Sequence, residues 1–128
     1  MIWIAADTST MIAFLKKHEG EDVDILRNAI IENCLFLPLP VIAELLSDPN
    51  LQINTYNAIE RLPTLPIIDG YWHRAGKLRA LVLSKGKKAR LADALIAQNC
   101  IDNNVALITR DNDFRHYNLY GNLKLLPD

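Results

Sequence analysis

An acidic residue interrupts one of the most apolar stretches of the sequence, RLADALIAQNC at residues 90–100. If this stretch is a helix, Gln98 and Asn99 fall on one side, and Asp93 falls on the opposite side together with Cys100. The periodicity therefore predicts that Asp93 points toward the core. A carboxylate in that position must be paired with a cation, bound to a metal ion or protonated, because burying an isolated charge is costly.

Further carboxylates lie near the ends of predicted strands. Asp7, Asp111 and Asp113 directly follow apolar runs, and Glu44 lies in the helix that comes after another such run. Ligands of open parallel sheets bind beyond the carboxyl ends of the strands, so these four side chains and Asp93 are expected at one rim of the sheet. Carboxylates gathered at about 4 Å repel one another by about 4 kcal/mol per pair at an effective dielectric constant near 20. A divalent cation removes that repulsion.

The ligand chemistry of this acidic group favours a hard cation. Carboxylate oxygens without histidine or cysteine suit Mg²⁺ or Mn²⁺ rather than Zn²⁺. Such an ion can bind a phosphodiester oxygen and activate water for in-line attack on phosphorus. The pattern therefore indicates hydrolysis of phosphodiester bonds.

Each acid has a simpler explanation when it is taken alone. Asp7 could cap a helix, Glu44 could be a solvated residue, and the two aspartates near residue 112 could form a turn. Asp93 could form an ion pair with Arg90 or Arg110. The metal-site hypothesis depends on the convergence of these side chains.

The elements that must position the acids alternate along the chain. Predicted strands cover residues 2–6, 34–37, 65–69 and 105–109, with a further one at 123–126. Predicted helices cover residues 8–18, 22–33, 41–47, 51–62, 70–84 and 91–104. This alternation predicts an α/β fold with a central, mostly parallel sheet of four to five strands.

Length and composition are those of one globular domain. The chain has 128 residues, 50% of them hydrophobic and 23% charged, with a formal net charge of −1. Any contact with nucleic acid must therefore come from a local basic patch. Cys34 and Cys100 lack metal-ligand spacing and are expected to be buried free thiols in a cytoplasmic protein. Neither a signal peptide nor a membrane span is expected.

Four segments occur in an order and spacing that resemble a PIN domain: IWIAADTSTMIAFL, LPVIAELL, LADALIAQNC and ALITRDNDF. The resemblance covers nearly the whole chain and is closest to the VapC-type ribonuclease toxins of type II toxin–antitoxin systems. It implies a single PIN domain over residues 1–128, folded as a three-layer α/β/α sandwich. It also implies a Mg²⁺- or Mn²⁺-dependent endoribonuclease that acts on single-stranded RNA or on a tRNA or rRNA loop. The implied partners are a small antitoxin protein and a second copy of the chain.

The same resemblance assigns roles to individual residues. The implied catalytic and metal-binding quartet is Asp7, Glu44, Asp93 and Asp111. Asp113 would be an alternative or supporting metal ligand, and Thr8 or Thr109 would orient a ligand or a water molecule.

Basic residues near the acids are predicted to hold the RNA backbone. The predicted RNA contacts are Lys85, Lys87, Lys88, Arg90, Arg110 and Thr8. The alternative for the KGKKAR segment is an ordinary solvated loop. Tyr117 could stack on a base, whereas Trp72 is expected in the core. Residues 41–62 could form a partner groove or simply pack into the core.

Two other functions are compatible with part of this pattern. Receiver-like signalling domains also gather aspartates and Mg²⁺ at the rim of a parallel sheet. They need a phosphoacceptor aspartate at the end of the central strand and a lysine after a later strand. Asp69 ends the third predicted strand, but Arg110 follows the fourth where a lysine is needed. The other alternative is a catalytically silent PIN-like binding module, against which the complete set of acids argues.

Overall fold

A parallel sheet of four short strands forms the centre of the computed structural model, which describes residues 2–128. The strands are β1 (Ile4–Ala6), β2 (Leu35–Phe36), β3 (Ala106–Ile108) and β4 (Leu125–Leu126). Their order across the sheet is β2-β1-β3-β4, and all neighbours are parallel. The two central strands are apolar throughout, as expected for strands that are covered on both faces. The carboxyl ends of β1 and β3 therefore lie side by side.

Seven α-helices surround this sheet within the part of the chain that the structure describes. They are α1 (Thr8–Leu15), α2 (Glu21–Ile31), α3 (Leu39–Leu46), α4 (Ile53–Glu60), α5 (Tyr71–Ser84), α6 (Leu91–Asp102) and α7 (Arg115–Gly121). A 3₁₀ turn at Asn112–Phe114 precedes α7. Helices α1 and α2 pack together before β2, and α5, α6 and α7 pack together after it. Right-handed crossovers place these two groups on opposite faces of the sheet, so the predicted three-layer α/β/α fold is confirmed.

The LPIID segment at 65–69, which the sequence predicts as a strand, is not one in the structure. This region contributes a single bridge, between Thr64 and Leu37. The pairing ends there because the chain leaves β2 and enters α3 at Leu39, whose N–H donates to Asn99 Oδ1 instead of to this segment. The sheet therefore has four strands, the lower of the two predicted numbers. Asp69 does not end a strand, which removes the phosphoacceptor position that a receiver-like domain would need.

Helix α6 is buried on more sides than its sequence pattern predicts. Gln98 and Asn99, expected opposite the core, are 5% and 0% exposed, because α6 packs against α3, α5 and α7 as well as β3. Asn99 Oδ1 accepts a hydrogen bond from Leu39 N at 3.1 Å, and Asn99 Nδ2 donates to Pro66 O at 3.2 Å. The buried amide therefore ties α6 to the start of α3, the helix that carries Glu44.

Two aromatic residues differ from the sequence-based prediction. Trp72, predicted in the core, is 66% exposed, because Tyr71 takes the inward position and its hydroxyl donates to Leu95 O at 2.6 Å. Tyr117 is fully buried, and its hydroxyl has no hydrogen-bond partner among residues 2–128. Tyr117 is therefore not available to stack on a base, whereas Trp72 presents an open aromatic surface.

The sequence also predicts buried free thiols and no membrane-spanning segment. Cys34 and Cys100 are buried free thiols, as predicted. Within residues 2–128, no helix is both long and apolar enough to cross a bilayer. The predicted domain start at Met1 lies outside the described residues.

Candidate active site

Asp7 lies at the carboxyl end of β1 and caps the N-terminus of α1. Its Oδ1 accepts from the backbone N–H of Thr10 at 3.0 Å, and Ser9 Oγ lies 2.9 and 2.8 Å from the two carboxylate oxygens. Thr109 Oγ1, just after β3, donates to Asp7 Oδ2 at 2.6 Å. Burial raises the pKa of Asp7, which is 2% exposed, and the hydrogen bonds from Thr109, Thr10 and Ser9 oppose this rise without cancelling it. The carboxylate is therefore held in one orientation.

Ser9 also belongs to this site, although the sequence patterns do not single it out. Its hydroxyl reaches both oxygens of Asp7 because the first turn of α1 brings the two side chains together. An acid followed by a hydroxyl residue is common at the start of helices, so the local pattern alone does not distinguish a cap from a site.

Glu44 reaches the same edge of the sheet from α3. Its side chain is exposed, and its Oε1 accepts from Thr8 Oγ1 at 2.6 Å. Thr8, predicted as an RNA contact, is thus placed as a hydrogen-bond partner of Glu44. Because Thr8 directly follows Asp7, this bond ties α3 to the junction of β1 and α1.

Asp93, Asp111 and Asp113 form a compact carboxylate cluster. One oxygen from each lies within 4.8 Å of those of the other two. Asp93 lies in the first turn of α6, and Asp111 Oδ1 accepts from Asp113 N at 2.9 Å at the start of the 3₁₀ turn. Partial burial raises the pKa of Asp93 to about 6, aided by the charges of Asp111, Glu44 and Asp113 and opposed by Arg90.

The acids line one cleft of about 230 Å³ at the carboxyl edge of β1 and β3. The cleft brings together the four residues of the predicted quartet, Asp7, Glu44, Asp93 and Asp111. All their donor atoms are oxygens, which is the set that Mg²⁺ and Mn²⁺ prefer. The residues present therefore fit a divalent cation.

The predicted basic residues lie at different distances from the acids. Arg90 lines the cleft, and Lys88 Nζ lies 3.5 Å from Asp113 Oδ2. Lys87 is exposed, and Lys85 Nζ lies 5.8 Å from the centre of the Tyr120 ring. Helix α5 anchors this loop at 85–90, because Arg79 Nε donates to the backbone oxygen of Ala89 at 2.8 Å. The basic loop therefore borders the acidic cleft.

Arg110 forms an ion pair with Asp22 at the edge of this region. Its Nε donates to Asp22 Oδ2 at 2.8 Å and its Nη2 to Asp22 Oδ1 at 2.9 Å. Thr10 Oγ1 also donates to Asp22 Oδ2, at 3.0 Å. Asp93 is therefore not paired with Arg110, one of the two partners considered for it. Asp22 is a residue of this region that the sequence patterns do not single out.

The Asp22–Arg110 pair predicts a specific loss of acid stability. Burial of Asp22 favours the neutral form, but hydrogen bonds from Arg110 and Thr10 outweigh it and lower the pKa of Asp22 below 3.8. Ionised Asp22 therefore stabilises the fold above about pH 4, and the contribution is lost as the pH falls through the lower folded value. Asp22→Asn is expected to cost about 2 kcal/mol at pH 7 and progressively less below about pH 4.

Urea unfolding of both proteins in EDTA, across pH 3 to 7, measures this difference. A gap between wild type and Asp22→Asn that stays constant down to pH 3 would contradict the assignment.

Comparison with known proteins gives the family. The profile described as PIN domain matches residues 4–119. No curated protein sequence matches significantly. Solved structures with similar folds include VapBC2 from Rickettsia felis bound to a promoter DNA fragment (TM-score 0.73, 24% identity, covering 98% of this chain and 97% of that chain). DNA-bound VapBC from Salmonella typhimurium gives a TM-score of 0.72 at 19% identity, with 98% and 97% covered.

A third similar structure is VapBC-1 from nontypeable Haemophilus influenzae, with a TM-score of 0.72, 21% identity and 98% and 96% of the two chains covered. The structural likeness extends over essentially the full length of each chain and supports the fold. The profile match contains every acid that lines the cleft, from Asp7 to Asp111, and also Asp113. The chain belongs to the PIN domain family.

Proposed function

We propose that this protein is a divalent-metal-dependent endoribonuclease that hydrolyses RNA phosphodiester bonds. One observation carries the proposal: acids from four separate segments line a single cleft, and three carboxylates come within 4.8 Å of one another. Such a cluster costs stability unless a cation neutralises it, so its presence favours a function that uses a cation. Membership of the PIN domain family supports the nuclease activity.

In this proposal, Asp7, Glu44, Asp93 and Asp111 hold the ion, and Asp113 is the alternative or supporting ligand. A bound Mg²⁺ or Mn²⁺ ion supplies Lewis acidity at the scissile phosphate and at the attacking water. The protein's own contribution is orientation. The Thr109 hydroxyl orients Asp7 and the Thr8 hydroxyl orients Glu44, and both carboxylates line the cleft.

The basic loop would hold the RNA strand beside the cleft. Lys85, Lys87, Lys88 and Arg90 are all exposed, so each can reach a phosphate. Arg90 lines the cleft and Lys88 Nζ lies 3.5 Å from Asp113, so we place the phosphate contacts of these two residues nearest the cleaved bond. Arg110, also predicted as an RNA contact, is left out of this group in the proposal because its guanidinium pairs with Asp22.

The loop assignment predicts a change in the salt dependence of binding. Lys87→Glu combined with Lys88→Glu is expected to weaken RNA binding at least about tenfold at low salt. The slope of log K against log salt should fall in magnitude by about 1.4, because two phosphate contacts to a single strand are lost. Fluorescence anisotropy with a labelled RNA in EDTA, at several salt concentrations, measures both quantities.

Lys124→Glu is the control for the loop variants, because it carries the same charge change as either single substitution. Lys124 precedes β4 and bonds Asn104 at 2.9 Å, at the amino edge of the sheet and therefore away from the cleft. Equal effects of Lys88→Glu and Lys124→Glu would mean that net charge, and not the loop, governs binding.

We further infer that the nuclease is the toxin of a toxin–antitoxin pair. The similar solved structures are VapBC complexes, and they cover nearly the whole of this chain. A basic side chain of the antitoxin would enter the acidic cleft, while its apolar residues would occupy the adjoining groove of about 480 Å³. Leu45 and Leu51 line that groove, and both lie in the segment 41–62, for which the sequence left a partner groove and core packing as alternatives. We also propose that the protein forms a homodimer and that it is located in the cytoplasm.

The reaction class is tested with the purified protein and a mixed RNA pool. Cleavage is expected with Mg²⁺ or Mn²⁺ and none with EDTA. Sequencing the cut ends then identifies the substrate and separates a tRNA or rRNA loop from unstructured RNA. If the RNA stays uncleaved at every metal concentration, the nuclease proposal is wrong. The alternative function, a catalytically silent PIN-like binding module, would then be favoured.

A further inference from the structure

Two connections join the start of α1 to the segment that follows β3. The first lies in the cleft, where Asp7 accepts from Thr10 N at 3.0 Å and from Thr109 Oγ1 at 2.6 Å. The second lies behind the first, where Asp22 accepts from Thr10 Oγ1 at 3.0 Å and from Arg110 at 2.8 and 2.9 Å. Fully buried Thr10 takes part in both, through its backbone N–H and its hydroxyl. A displacement of Asp22 is therefore expected to move Thr10 and, through Thr10, to change the position of Asp7.

The backbone before α2 is shaped to admit the rear ion pair. A Cβ atom at Gly20 would lie 2.6 Å from Asp22 Oδ1 and 2.9 Å from Arg110 Nη2, so a side chain there would displace the ion pair. Gly20 also has a φ of +153°, which other residues rarely adopt. The neighbouring Glu19 backbone oxygen accepts from Arg110 Nη2 at 3.2 Å. The guanidinium is therefore held on two sides by the turn between α1 and α2.

Arg110 lies between two residues that shape the cleft. On one side is Thr109, whose hydroxyl bonds Asp7 and also accepts from Asp111 N at 2.9 Å. On the other side is Asp111 itself. A displacement of Arg110 along the chain therefore shifts the hydrogen-bond partner of one predicted ligand and the backbone of another.

We propose that the Asp22–Arg110 ion pair is a positioning pair that sets the spacing of Asp7 and Asp111, and thereby the affinity of the cleft for a divalent cation. This inference rests on the proposed function, since it assumes that the cleft binds a cation. It gives Arg110 a role different from the RNA contact predicted from the sequence. Residues that orient metal ligands from behind commonly change metal affinity by about 10- to 100-fold when they are replaced.

A second ion pair in the same protein provides a matched control. Arg74 donates to Asp102 through Nε at 2.9 Å and Nη2 at 2.7 Å, and Gln98 Nε2 adds a third hydrogen bond at 2.8 Å. The Asp102 and Asp22 side chains are 7% and 8% exposed, and each accepts a bidentate arginine and one further donor. Asp102 does not line the acidic cleft. Breaking this pair should affect folding without affecting the cation.

The test is Mn²⁺ binding to the full chain, measured by electron paramagnetic resonance with no RNA present. Asp22→Asn and Arg110→Met are each expected to weaken Mn²⁺ binding about tenfold, with Arg110→Lys intermediate. Asp102→Asn is expected to stay within about twofold of wild type while losing comparable stability in urea. If Asp22→Asn and Asp102→Asn leave Mn²⁺ affinity equally unchanged, the pair is only structural and the inference is wrong.

RNA binding in EDTA separates the positioning role from a direct contact. Arg110→Met is expected to keep the wild-type RNA affinity and salt dependence. A salt slope that falls in magnitude by about 0.7 in Arg110→Met but not in Asp22→Asn would make Arg110 a phosphate contact and overturn the inference. A wild-type protein that binds no Mn²⁺ would overturn the proposed function itself, and the positioning role with it. The two failures are therefore distinguishable.

Discussion

Asp93→Asn is expected to lower the rate of Mg²⁺- or Mn²⁺-dependent RNA cleavage by about 10³-fold or more, equivalent to about 4 kcal/mol of transition-state stabilisation. Asp93 is one of three carboxylates whose oxygens lie within 4.8 Å, and asparagine keeps its shape while removing its charge. Asp7→Asn would be a less specific test, because it changes local hydrogen bonds as well as charge. The Asp7 oxygens accept from Ser9, Thr10 and Thr109, so an amide group would face hydrogen-bond donors.

Single-turnover cleavage of a labelled RNA, at saturating metal, measures this loss. Asp69→Asn is the control, because Asp69 is an exposed aspartate that does not line the cleft. Cleavage by Asp93→Asn at a rate within tenfold of wild type, with Asp69→Asn also active, would remove Asp93 from the machinery.

The same substitution is expected to make the metal-free protein more stable. In the absence of a cation, ionised Asp93 is repelled by Asp111, Glu44 and Asp113 in a partly buried site. Asp93→Asn removes this repulsion, so its melting temperature in EDTA should exceed that of wild type by about 2–5 °C, corresponding to about 1 kcal/mol. Saturating Mn²⁺ should reverse the order, because a ligand at 100 times its Kd stabilises the wild-type fold by about 2.7 kcal/mol.

Thermal unfolding followed by circular dichroism, with EDTA and with Mn²⁺, tests this crossing. Asp69→Asn should follow wild type in both conditions. A lower melting temperature for Asp93→Asn in EDTA would mean that Asp93 stabilises the fold through a partner, and the explanation based on carboxylate repulsion would be wrong. Equal Mn²⁺ stabilisation of wild type and Asp93→Asn would place the ion elsewhere.

The fold was predictable from sequence where one local cause decides the structure. The apolar runs around residues 2–6 and 105–109 form the central strands because helices cover both of their faces. The LPIID run was not predictable in the same way, because a strand needs a partner that continues beside it, and the chain after β2 turns into α3 at Leu39 after a single bridge. The sequence pattern of helix α6 predicts its buried face wrongly for a different reason. Its polar residue Asn99 is buried because backbone groups far along the chain, such as Leu39 N, satisfy its amide.

The carboxylates of the cleft were predictable because strand ends converge on one rim whatever the details of packing. The partners of those carboxylates were not. Arg110 looks like an RNA contact in sequence, since it adjoins an acid, and its true partner Asp22 lies 88 positions away. Gly20 marks the place of that pair only once the turn before α2 is known. Local patterns therefore identify groups that could react, whereas pairing between distant segments decides which basic groups stay free.

The acids of the cleft depend on parts of the sheet that differ in strength. Asp7 and Asp111 follow β1 and β3, which pair with each other over three residues at the centre of the sheet. Glu44 follows β2, an edge strand of two residues, and lies on α3, which packs against α1 and α6 and is also bound through Thr8 and the Asn99 amide. Edge strands of a sheet open before its central strands. Fraying of β2 on warming is therefore expected to displace Glu44, one of the proposed metal ligands, while the rest of the molecule stays folded. Heat inactivation of this protein should therefore begin below its melting transition, and it should reverse on cooling.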